Sequence, residues 1–494
     1  MSDTARLAAR TLLASFDGAV LPEWARARLA AGLGGVCLYS TNAPDHFTIA
    51  NLDNAIHDAN SAAITALDEE GGDVTRLYYR VGSPHAGHAV LGAADDLTLT
   101  EQVARDIGAE LLAVGVDLDL GPVADVNSNP LNPVIGVRSF GADPDLVARH
   151  TATWVRGVQA GGAGACLKHY PGHGDTTDDS HLALPVVDAS LDTLNQRELV
   201  PFRAGLAAGA TAVMTSHVVV RALDPTRPAT FSPEATRLLR APVAAGGLGF
   251  DGLLVSDALD MKGASGEIGV PAAAVAALAA GVDLLCLGPS FTDQRVQVVL
   301  DEIVGAVADG RLASARLQEA ASRVDGASTR LATLRRSVEI GEFSGENPHT
   351  ATRSASQRAA ALAISLVGPL QPCTGATVVR LVTGASLAVG LAPWGLPERG
   401  QVRGGQGMVD VHEDDPLPRL DEDRPVVVLT RGGQRHPWVG RALDELVRQR
   451  PDLVVVELGW PSPEPVAART VVHTMGSSAV STVALDRFLA RGES

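Results

Sequence analysis

The stretch of the chain that is richest in reactive side chains reads KHYPGHGDTTDDSHLALP, from Lys168 to Pro185. It holds three histidines, three aspartates and a lysine among glycine and proline, which is typical of an ordered loop. Such a loop permits three interpretations: a solvated polar loop, a metal site, or an acid–base centre. Metal-dependent barrel hydrolases generally carry an HxH pair on an early strand, and this sequence contains none.

The triplet Asp179-Ser180-His181 within this loop favours the acid–base interpretation. Alternate residues of an extended segment point the same way, so the aspartate and histidine side chains can meet. An aspartate bonded to one imidazole nitrogen fixes the tautomer and leaves the other nitrogen free to exchange a proton. Histidine also titrates near neutrality without much tuning, which suits a general acid or base.

A group that attacks carbon is the partner such a histidine needs, and Asp257 in LLVSDALDM is the candidate. It follows an apolar run, and a carboxylate at the end of a buried strand is costly unless it is paired or used. The alternative is an N-cap for the next helix. Asp260 is the competing carboxylate, although it lies further into the helix-like segment.

A second polar cluster, ALDEEGG, places Asp68 after another apolar run with paired glycines behind it. Short carboxylates at such a position suit bidentate binding of sugar hydroxyls, and glycine allows a ligand to approach the backbone closely. At least one of the neighbouring residues Glu69 and Glu70 is expected to be a solvated charge on the rim of the cleft. Four donors complete the candidate polyol-binding ring: Arg76, Arg138, Lys168 and His169.

The elements that must position these residues are eight short apolar runs within the first 310 residues, separated by helical patterns. The runs are TLLASFD, GGVCLYS, AAITALD, VDLDLGPVADV, GAGACLKHY, TAVMTSHVV, GLLVSDAL and GVDLLCLG. Their continuous apolar character predicts strands buried on both faces, hence a parallel sheet. Eight strand–helix repeats predict an α/β fold of the (β/α)8 TIM-barrel type.

In such a barrel the catalytic groups lie at the carboxyl ends of the strands, and the polar clusters of this sequence fall there. A doubly wound open sheet is the structural alternative, but its GxGxxG fingerprint after the first strand is absent. We predict the catalytic barrel over residues 1–335, a linker over 336–358, and a smaller α/β sandwich domain over 359–494. Within the last domain, GLPERGQVRGGQG resembles a mobile loop.

Composition narrows the partners. A formal net charge of −17, from 40 basic and 57 acidic residues, disfavours nucleic acid and anionic membranes. Four cysteines are distant in sequence and form no CxxC pair, which indicates neither a zinc site nor a disulfide framework. The chain shows neither a signal peptide nor a membrane span, so a cytoplasmic location is expected. The oligomeric state is left open.

Four of these motifs resemble those of bacterial β-N-acetylglucosaminidases of glycoside hydrolase family 3: KHYPGHGDTTDDSHLALP, DEEGGDVTR, NPVIGVRSFG and VSDALDM. The opening LPEWARARLAAGLGGVCLYSTN is similar to the family's first βαβ unit, and the resemblance covers the barrel. It implies a retaining exo-β-N-acetylglucosaminidase acting on cell-wall (muropeptide) fragments without cofactor or metal. By the same resemblance Asp257 is the nucleophile and His181, paired with Asp179, the acid/base.

The resemblance also assigns the sugar subsite, to Asp68, Arg76, Arg138, Lys168 and His169. One position departs from the family pattern: Asp73 follows the paired glycines where an arginine is common. We expect Asp73 on the rim of the cleft, where it would affect leaving-group preference.

Two alternatives to hydrolysis stay open. A histidine that has given up its proton is neutral and does not repel inorganic phosphate, so a phosphorylase releasing GlcNAc-1-phosphate, or a broader β-glycosidase, is the first alternative. A non-catalytic sugar-binding protein is the second.

Overall fold

The computed structural model describes residues 2–178, 180, 184–266, 268–338, 349–384, 388–390, 392–464 and 466–492. Its main sheet contains eight strands, all paired in parallel: β1 Leu12–Ala14, β2 Gly35–Cys37, β3 Ile64–Leu67, β4 Leu118–Asp119, β5 Gly164–Tyr170, β7 Ala212–Thr215, β9 Leu253–Val255 and β10 Leu285–Cys286. A parallel bridge between Val255 and Leu284 joins the last two strands. The sheet therefore closes on itself, and every predicted barrel strand is confirmed.

Helices separate these strands and cover the outside of the barrel. They are α1 Asp3–Arg10, α2 Glu23–Ala30, α3 His46–Ala59, α4 His88–Ala94, α5 Leu97–Ala113, α6 Pro144–Gly161, α7 Leu191–Thr193, α8 Leu199–Ala207, α9 Pro233–Arg240, α10 Lys262–Ser265, α11 Gly269–Ala280, α12 Asp293–Ala308 and α13 Ser314–Ser337. A π-helical turn, Leu194–Glu198, joins α7 to α8. A small parallel pair, β6 Val186–Val187 with β8 Val219–Val220, was not predicted.

Two layers of apolar side chains hold the barrel together, as the burial of strands on both faces requires. Inward-facing residues such as Leu118, Cys166 and Leu253 fill the interior, and outward-facing residues such as Val36 and Leu254 pack under the helices. Polar residues are therefore confined to the strand ends, where the candidate site lies. All four cysteines are free and buried.

A second sheet of six strands follows: β11 Ser365–Val367, β12 Thr377–Leu381, β13 Met408–Val411, β14 Val426–Thr430, β15 Val454–Glu457 and β16 Thr470–His473. Its spatial order is β11-β16-β15-β14-β12-β13, parallel except at β11. Two apolar clusters cover its faces, together with the helices α15 Pro437–Gln449 and α16 Ala479–Arg491. The predicted α/β fold of the C-terminal region is confirmed, with β13 as an additional strand.

A helix occupies part of the predicted linker, and hydrogen bonds are made by the loop that was predicted to be mobile. Helix α14, His349–Leu362, occupies the second half of the predicted linker and packs against α4, α5 and α16. Its alanine-rich sequence has the propensity for a helix and a buried face at Ala355 and Ala359. The GLPERGQVRGGQG loop is held in place because Asp486 accepts the N–H groups of Gln401 and Val402. The domain boundaries at 335 and 359 stay a proposal.

Across the described parts of the chain, no helix combines the length and the apolar composition that crossing a membrane requires.

Candidate active site

A cavity of about 430 Å³ lies at the carboxyl ends of the barrel strands. Six of the eight predicted site residues line it: Asp68, Arg76, Arg138, Lys168, His169 and Asp257. The other two, Asp179 and His181, lie outside the described residues. Ser180, which stands between them in sequence, lines the same cavity. The barrel therefore brings together residues that are almost 190 positions apart in the chain.

Lys168 is the central cation of the cavity. Its Nζ lies 2.7 Å from Asp68 Oδ1 and 2.7 Å from Glu70 Oε1, and all three side chains are largely buried. Burial alone would raise the pKa of Asp68, but Lys168 and Arg76 outweigh it and lower that pKa to about 2. Burial would lower the pKa of Lys168, and the two carboxylates raise it instead. At neutral pH these groups are therefore fully charged and mutually fixed.

Arg138 extends this network on the other side of Glu70. Its Nη2 lies 2.7 Å from Glu70 Oε1 and its Nε lies 2.9 Å from Glu70 Oε2, a bidentate pair. The same Nη2 is 3.3 Å from His169 Nε2. A guanidinium group can only donate, so His169 Nε2 accepts and the ring proton resides on Nδ1. Both ring nitrogens of His169 are therefore engaged, and the ring is fixed in its place in the cavity wall.

Asp125 is a site residue that the sequence analysis missed. Its Oδ2 accepts from His169 Nδ1 at 2.7 Å, and its Oδ1 accepts the His173 N–H at 2.8 Å. It is completely buried, and its acceptors hold the start of the histidine-rich loop against β5. The available signal was a carboxylate inside an apolar run, PVADV, which is costly without partners.

The histidine-rich loop is further fixed by His173, Thr176 and Ser180. His173 Nδ1 lies 2.9 Å from Thr176 Oγ1, and its Nε2 lies 2.9 Å from Ser180 Oγ. Burial lowers the pKa of His173 to about 4, so this ring is neutral and structural at physiological pH. Of the three loop histidines, His173 is thus committed to holding the loop.

Asp257 lies at the end of β9 and is half-buried in the cavity wall. Its Oδ1 accepts the N–H of Ala258 at 2.7 Å. The next helix, α10, begins at Lys262 and is capped by Met261, so Asp257 is not an N-cap. Asp260 also lines the cavity, where its carboxylate packs against the backbone of Gly288, whose φ is +93°. A Cβ at Gly288 would overlap that carboxylate.

Glu69 and Glu70 do not lie on a solvated rim; both side chains are buried. Glu69 Oε2 accepts hydrogen bonds from Thr75 Oγ1 at 2.8 Å and from the N–H groups of Arg76 and Leu77 at 3.0 Å. These bonds hold the turn that directs Arg76 into the cavity. Burial raises the pKa of Glu69 to about 7, against the three hydrogen bonds, which favour the charged form.

Asp73 was predicted to lie on the rim of the cleft, and this prediction is wrong because its side chain is buried. Its Oδ1 accepts the Ser477 N–H at 2.7 Å and its Oδ2 accepts the Ser477 hydroxyl at 2.8 Å. Gly72, with φ of +58°, turns the chain inward so closely that a Cβ there would lie 2.6 Å from Gly87 Cα. Asp73 therefore joins the barrel to the C-terminal region.

The C-terminal region also reaches the cavity itself. Ala388 and Gly390 line it, and both terminal nitrogens of Arg76 lie 3.4 Å from the Ala388 carbonyl oxygen. Gly390 has φ of +66°, and a Cβ there would lie 2.8 Å from Tyr79 Oη. One wall of the cavity is thus built by a segment that follows β12.

The cavity as a whole suits a neutral, hydroxyl-rich ligand. Its buried charges form one ion-paired network in which three cations share the carboxylates of Asp68 and Glu70, and their remaining donor and acceptor positions are left for hydroxyl groups. Within the described ranges, no cluster of three or more His, Cys, Asp or Glu side chains is arranged to hold a metal ion.

Comparisons with known proteins identify the family to which the barrel belongs. A sequence model described as "Glycosyl hydrolase family 3 N terminal domain" matches residues 23–327. Beta-hexosaminidase A of Pseudoalteromonas piscicida is 32% identical over 71% of this chain, but the match spans only 62% of that protein. Beta-hexosaminidase of Stenotrophomonas maltophilia (strain R551-3) is 36% identical over 58% of this chain and 88% of its own length.

A solved structure is similar over the whole chain. The glycoside hydrolase family 3 beta-N-acetylglucosaminidase from Paenibacillus sp. str. FPU-7 has a TM-score of 0.84 and 28% identity, and the match covers 100% of this chain and 98% of the other. Both the barrel and the second sheet therefore have counterparts in one known protein.

Proposed function

Because the chain belongs to glycosyl hydrolase family 3 and groups there with the β-hexosaminidases, we propose that it is a retaining exo-β-N-acetylglucosaminidase. One observation supports the proposal most: Asp257 and the ring of Asp68, Arg138, Lys168 and His169 line one cavity. A nucleophile thus faces a set of hydroxyl-binding groups across a space of about 430 Å³, within the usual range for small ligands.

In the first proposed step an Asp257 oxygen attacks the anomeric carbon while the bond to the leaving group breaks. His181, held by Asp179, gives its proton to the departing oxygen, so the leaving group departs neutral. In the second step water attacks the same anomeric carbon while its bond to the Asp257 oxygen breaks, so that the carboxylate leaves and the water gives a proton to His181. Two displacements at one carbon restore its configuration, which makes the reaction retaining.

The sugar ring is proposed to be held by Asp68, Arg76, Arg138, Lys168 and His169. Asp68 is anionic and can accept from hydroxyl groups, whereas Lys168 has a donor left after its two carboxylate contacts. The Ala388–Gly390 wall limits the cavity on one side, which favours a terminal sugar over an internal one. We include in the proposal that the substrate is a cell-wall fragment processed in the cytoplasm.

Substitution of the nucleophile is the direct test. On a chromogenic β-GlcNAc glycoside, Asp257→Asn is expected to lower kcat by about 10³-fold or more, because no carboxylate remains to form the covalent intermediate. Asp260→Asn is the matched control, since Asp260 lines the same cavity and should retain most of the activity. Equal turnover by Asp257→Asn and the wild type would refute the assignment.

Analysis of the products and of the substrate range separates hydrolysis from the alternative functions. NMR of the first product is expected to show the β-anomer of GlcNAc, and His181→Ala is expected to lose activity mainly on poor leaving groups. Release of a sugar phosphate on addition of inorganic phosphate would identify a phosphorylase instead. Equal turnover of β-glucosides would indicate a broader β-glycosidase, and binding of GlcNAc without turnover would indicate a sugar-binding protein.

A further inference from the structure

A second, smaller crevice lies between the barrel and the second sheet, with a volume of about 60 Å³. On the barrel side it is lined by Asp73 and the segment from Asn132 to Arg138. On the other side it is lined by Gly384, Arg431, Gly432, Arg435 and Trp460. The volume suits a single small group and not a second sugar.

The topology of the second sheet explains why a crevice forms at this place. From β12 the chain adds β13 on one side and β14, β15 and β16 on the other, so the strand order reverses between β12 and β14. Gly384 follows β12, and Arg431 and Gly432 follow β14. Ligands of open parallel sheets bind at the carboxyl ends of the strands at such a reversal.

Arg431 is the residue that points to a ligand. Its guanidinium group lies 4.7 Å from the centre of the Trp394 ring, and the side chain is half-buried. Its backbone carbonyl accepts from Thr383 Oγ1, but among the residues that the structure describes its guanidinium group has neither a hydrogen bond nor an ion pair. Burial lowers the pKa of Arg431, Asp73 opposes this, and the like charges of Arg380 and Arg435 add to it. A partly desolvated cation beside like charges is stabilised by an anion.

The carboxylates near Arg431, those of Glu457 and Asp73, already accept hydrogen bonds from other groups. Glu457 accepts the N–H groups of Gly432 at 2.7 Å and Gly459 at 2.6 Å, and the Thr430 hydroxyl at 2.9 Å. Asp73 is bonded to Ser477 by both oxygens. The charged side chains lining the crevice are Asp73, Arg431, Arg435 and Arg138, of which Arg138 is paired with Glu70, in a chain whose formal net charge is −17. The crevice is therefore a locally positive place on an acidic protein.

The geometry points to an anion-binding site in this crevice, which takes a carboxylate or phosphate group against Arg431 and Arg435. Arg138 and Val134 line both the crevice and the catalytic cavity, so the group is either a free anion or part of a ligand that extends from the cavity. Val389 lines the crevice, whereas its neighbours Ala388 and Gly390 line the cavity. An anion seated here would therefore support the wall of the catalytic cavity.

The first arm of the test needs no catalytic activity, so its result is independent of the proposed function. The melting temperature of the full chain is measured in phosphate and in chloride at equal ionic strength. Phosphate is expected to raise the melting temperature of the wild type by about 2 °C, since it binds the folded state only. Arg431→Met should lose this shift, and Arg431→Lys should keep part of it.

Arg380→Met is the matched control. Arg380 also lies over the Trp394 ring, at 4.9 Å from the ring centre, but it is paired with Asp410 and does not line the crevice. It should keep the full phosphate shift. An equal shift in Arg431→Met and Arg380→Met would overturn the proposal.

The second arm distinguishes the source of the anion. kcat/KM is compared between a neutral β-GlcNAc glycoside and one with a carboxylate on its leaving group, for the wild type and Arg431→Met. A fall confined to the carboxylate-bearing glycoside identifies a substrate-borne anion. Unchanged ratios together with a lost phosphate shift identify a free anion. No phosphate shift in the wild type and no preference between the glycosides would refute the site.

Discussion

The carboxyl ends of the strands form a cleft in each of the two sheets, and we call these two clefts the mouths of the sheets. The two mouths are built from the same residue types but differ in electrostatic character. At the barrel mouth, Asp68 and Glu70 are paired with Lys168 and Arg138, so that each buried charge has a counterion. At the mouth of the second sheet, Glu457 is bonded to backbone N–H groups and a neighbouring hydroxyl, and Arg431 is left without an ion pair among the described residues. What the carboxylates bind to therefore decides whether a strand-end cleft suits a neutral ligand or an anion.

The largest expected effect comes from removing one cation at each mouth. Lys168→Met removes the cation between two buried carboxylates and leaves Asp68 only Arg76 and Glu70 only Arg138, so the free energy of unfolding should fall by about 3 kcal/mol. Arg431→Met removes a half-buried charge that forms no ion pair among the described residues, so the change should be below about 1 kcal/mol. Denaturant unfolding measures both.

The exposed Lys262 gives the control, since Lys262→Met should alter stability least. Comparable losses in Lys168→Met and Arg431→Met would break the contrast between the two mouths.

A pH-dependent effect is expected at Glu69, whose pKa burial raises from 4.5 to about 7. A carboxyl group with a raised folded-state pKa contributes stability below pH 4.5 that is lost as the pH rises through 7. Glu69→Gln removes this loss, so relative to the wild type the variant should gain up to about 3 kcal/mol between pH 5 and pH 8. Unfolding measured at both pH values tests this, and an identical difference at pH 5 and pH 8 would contradict it.

Removal of the hydrogen bonds between Asp73 and Ser477, which join the barrel to the C-terminal region, is expected to have a smaller effect on stability. Asp73→Ala leaves the Ser477 N–H buried without its acceptor, so stability should fall by about 2 kcal/mol. Ser477→Ala removes the hydroxyl bond and keeps the N–H bond, so about 1 kcal/mol is expected. The melting temperatures of both variants measure the difference, and an Asp73→Ala protein as stable as the wild type would show that the contact does not hold the two regions together.

The smallest effect is expected at the wall of the catalytic cavity that Ala388 and Gly390 form, and it is an effect on KM. Gly390→Ala places a Cβ 2.8 Å from Tyr79 Oη at a φ of +66°, so the wall must shift and KM should rise several-fold. Gly405→Ala is the control, because its φ of +83° gives similar backbone strain while no atom lies within 4 Å of the added Cβ. A similar KM for both variants would mean that the wall takes no part in binding.

The barrel and most of the cavity were predictable because burial on both faces of a strand requires a recognisable apolar sequence pattern. Strands that are covered on both faces appear as apolar runs, and the residues after them, such as Asp68 and Asp257, must lie at one mouth. β13 escaped prediction because Met408–Val411 is an edge strand with mostly exposed side chains, next to a glycine-rich loop. Its sequence contains no run that burial would require.

Other features escaped because they depend on distant partners. Asp125 sits in an apolar run, and only the fold shows that it binds the residues at the end of β5. Asp73 was expected at the rim since short-range reasoning could not include Ser477, about 400 positions away in the chain. Glu69 and Glu70 read as solvated charges until their partners, Thr75 and Arg138, are brought beside them. The roles of Asp179 and His181 stay predictions.

The narrow reach of the second region into the catalytic cavity has a consequence for protein engineering. Among the described residues of that region, the cavity is lined by Ala388 and Gly390, on the side where Arg76 contacts Ala388. The other described residues that line the cavity, Asp257 among them, belong to the barrel. A chimera that exchanges the second region for one from a related chain should thus change which sugars are accepted while the chemical step is inherited unchanged.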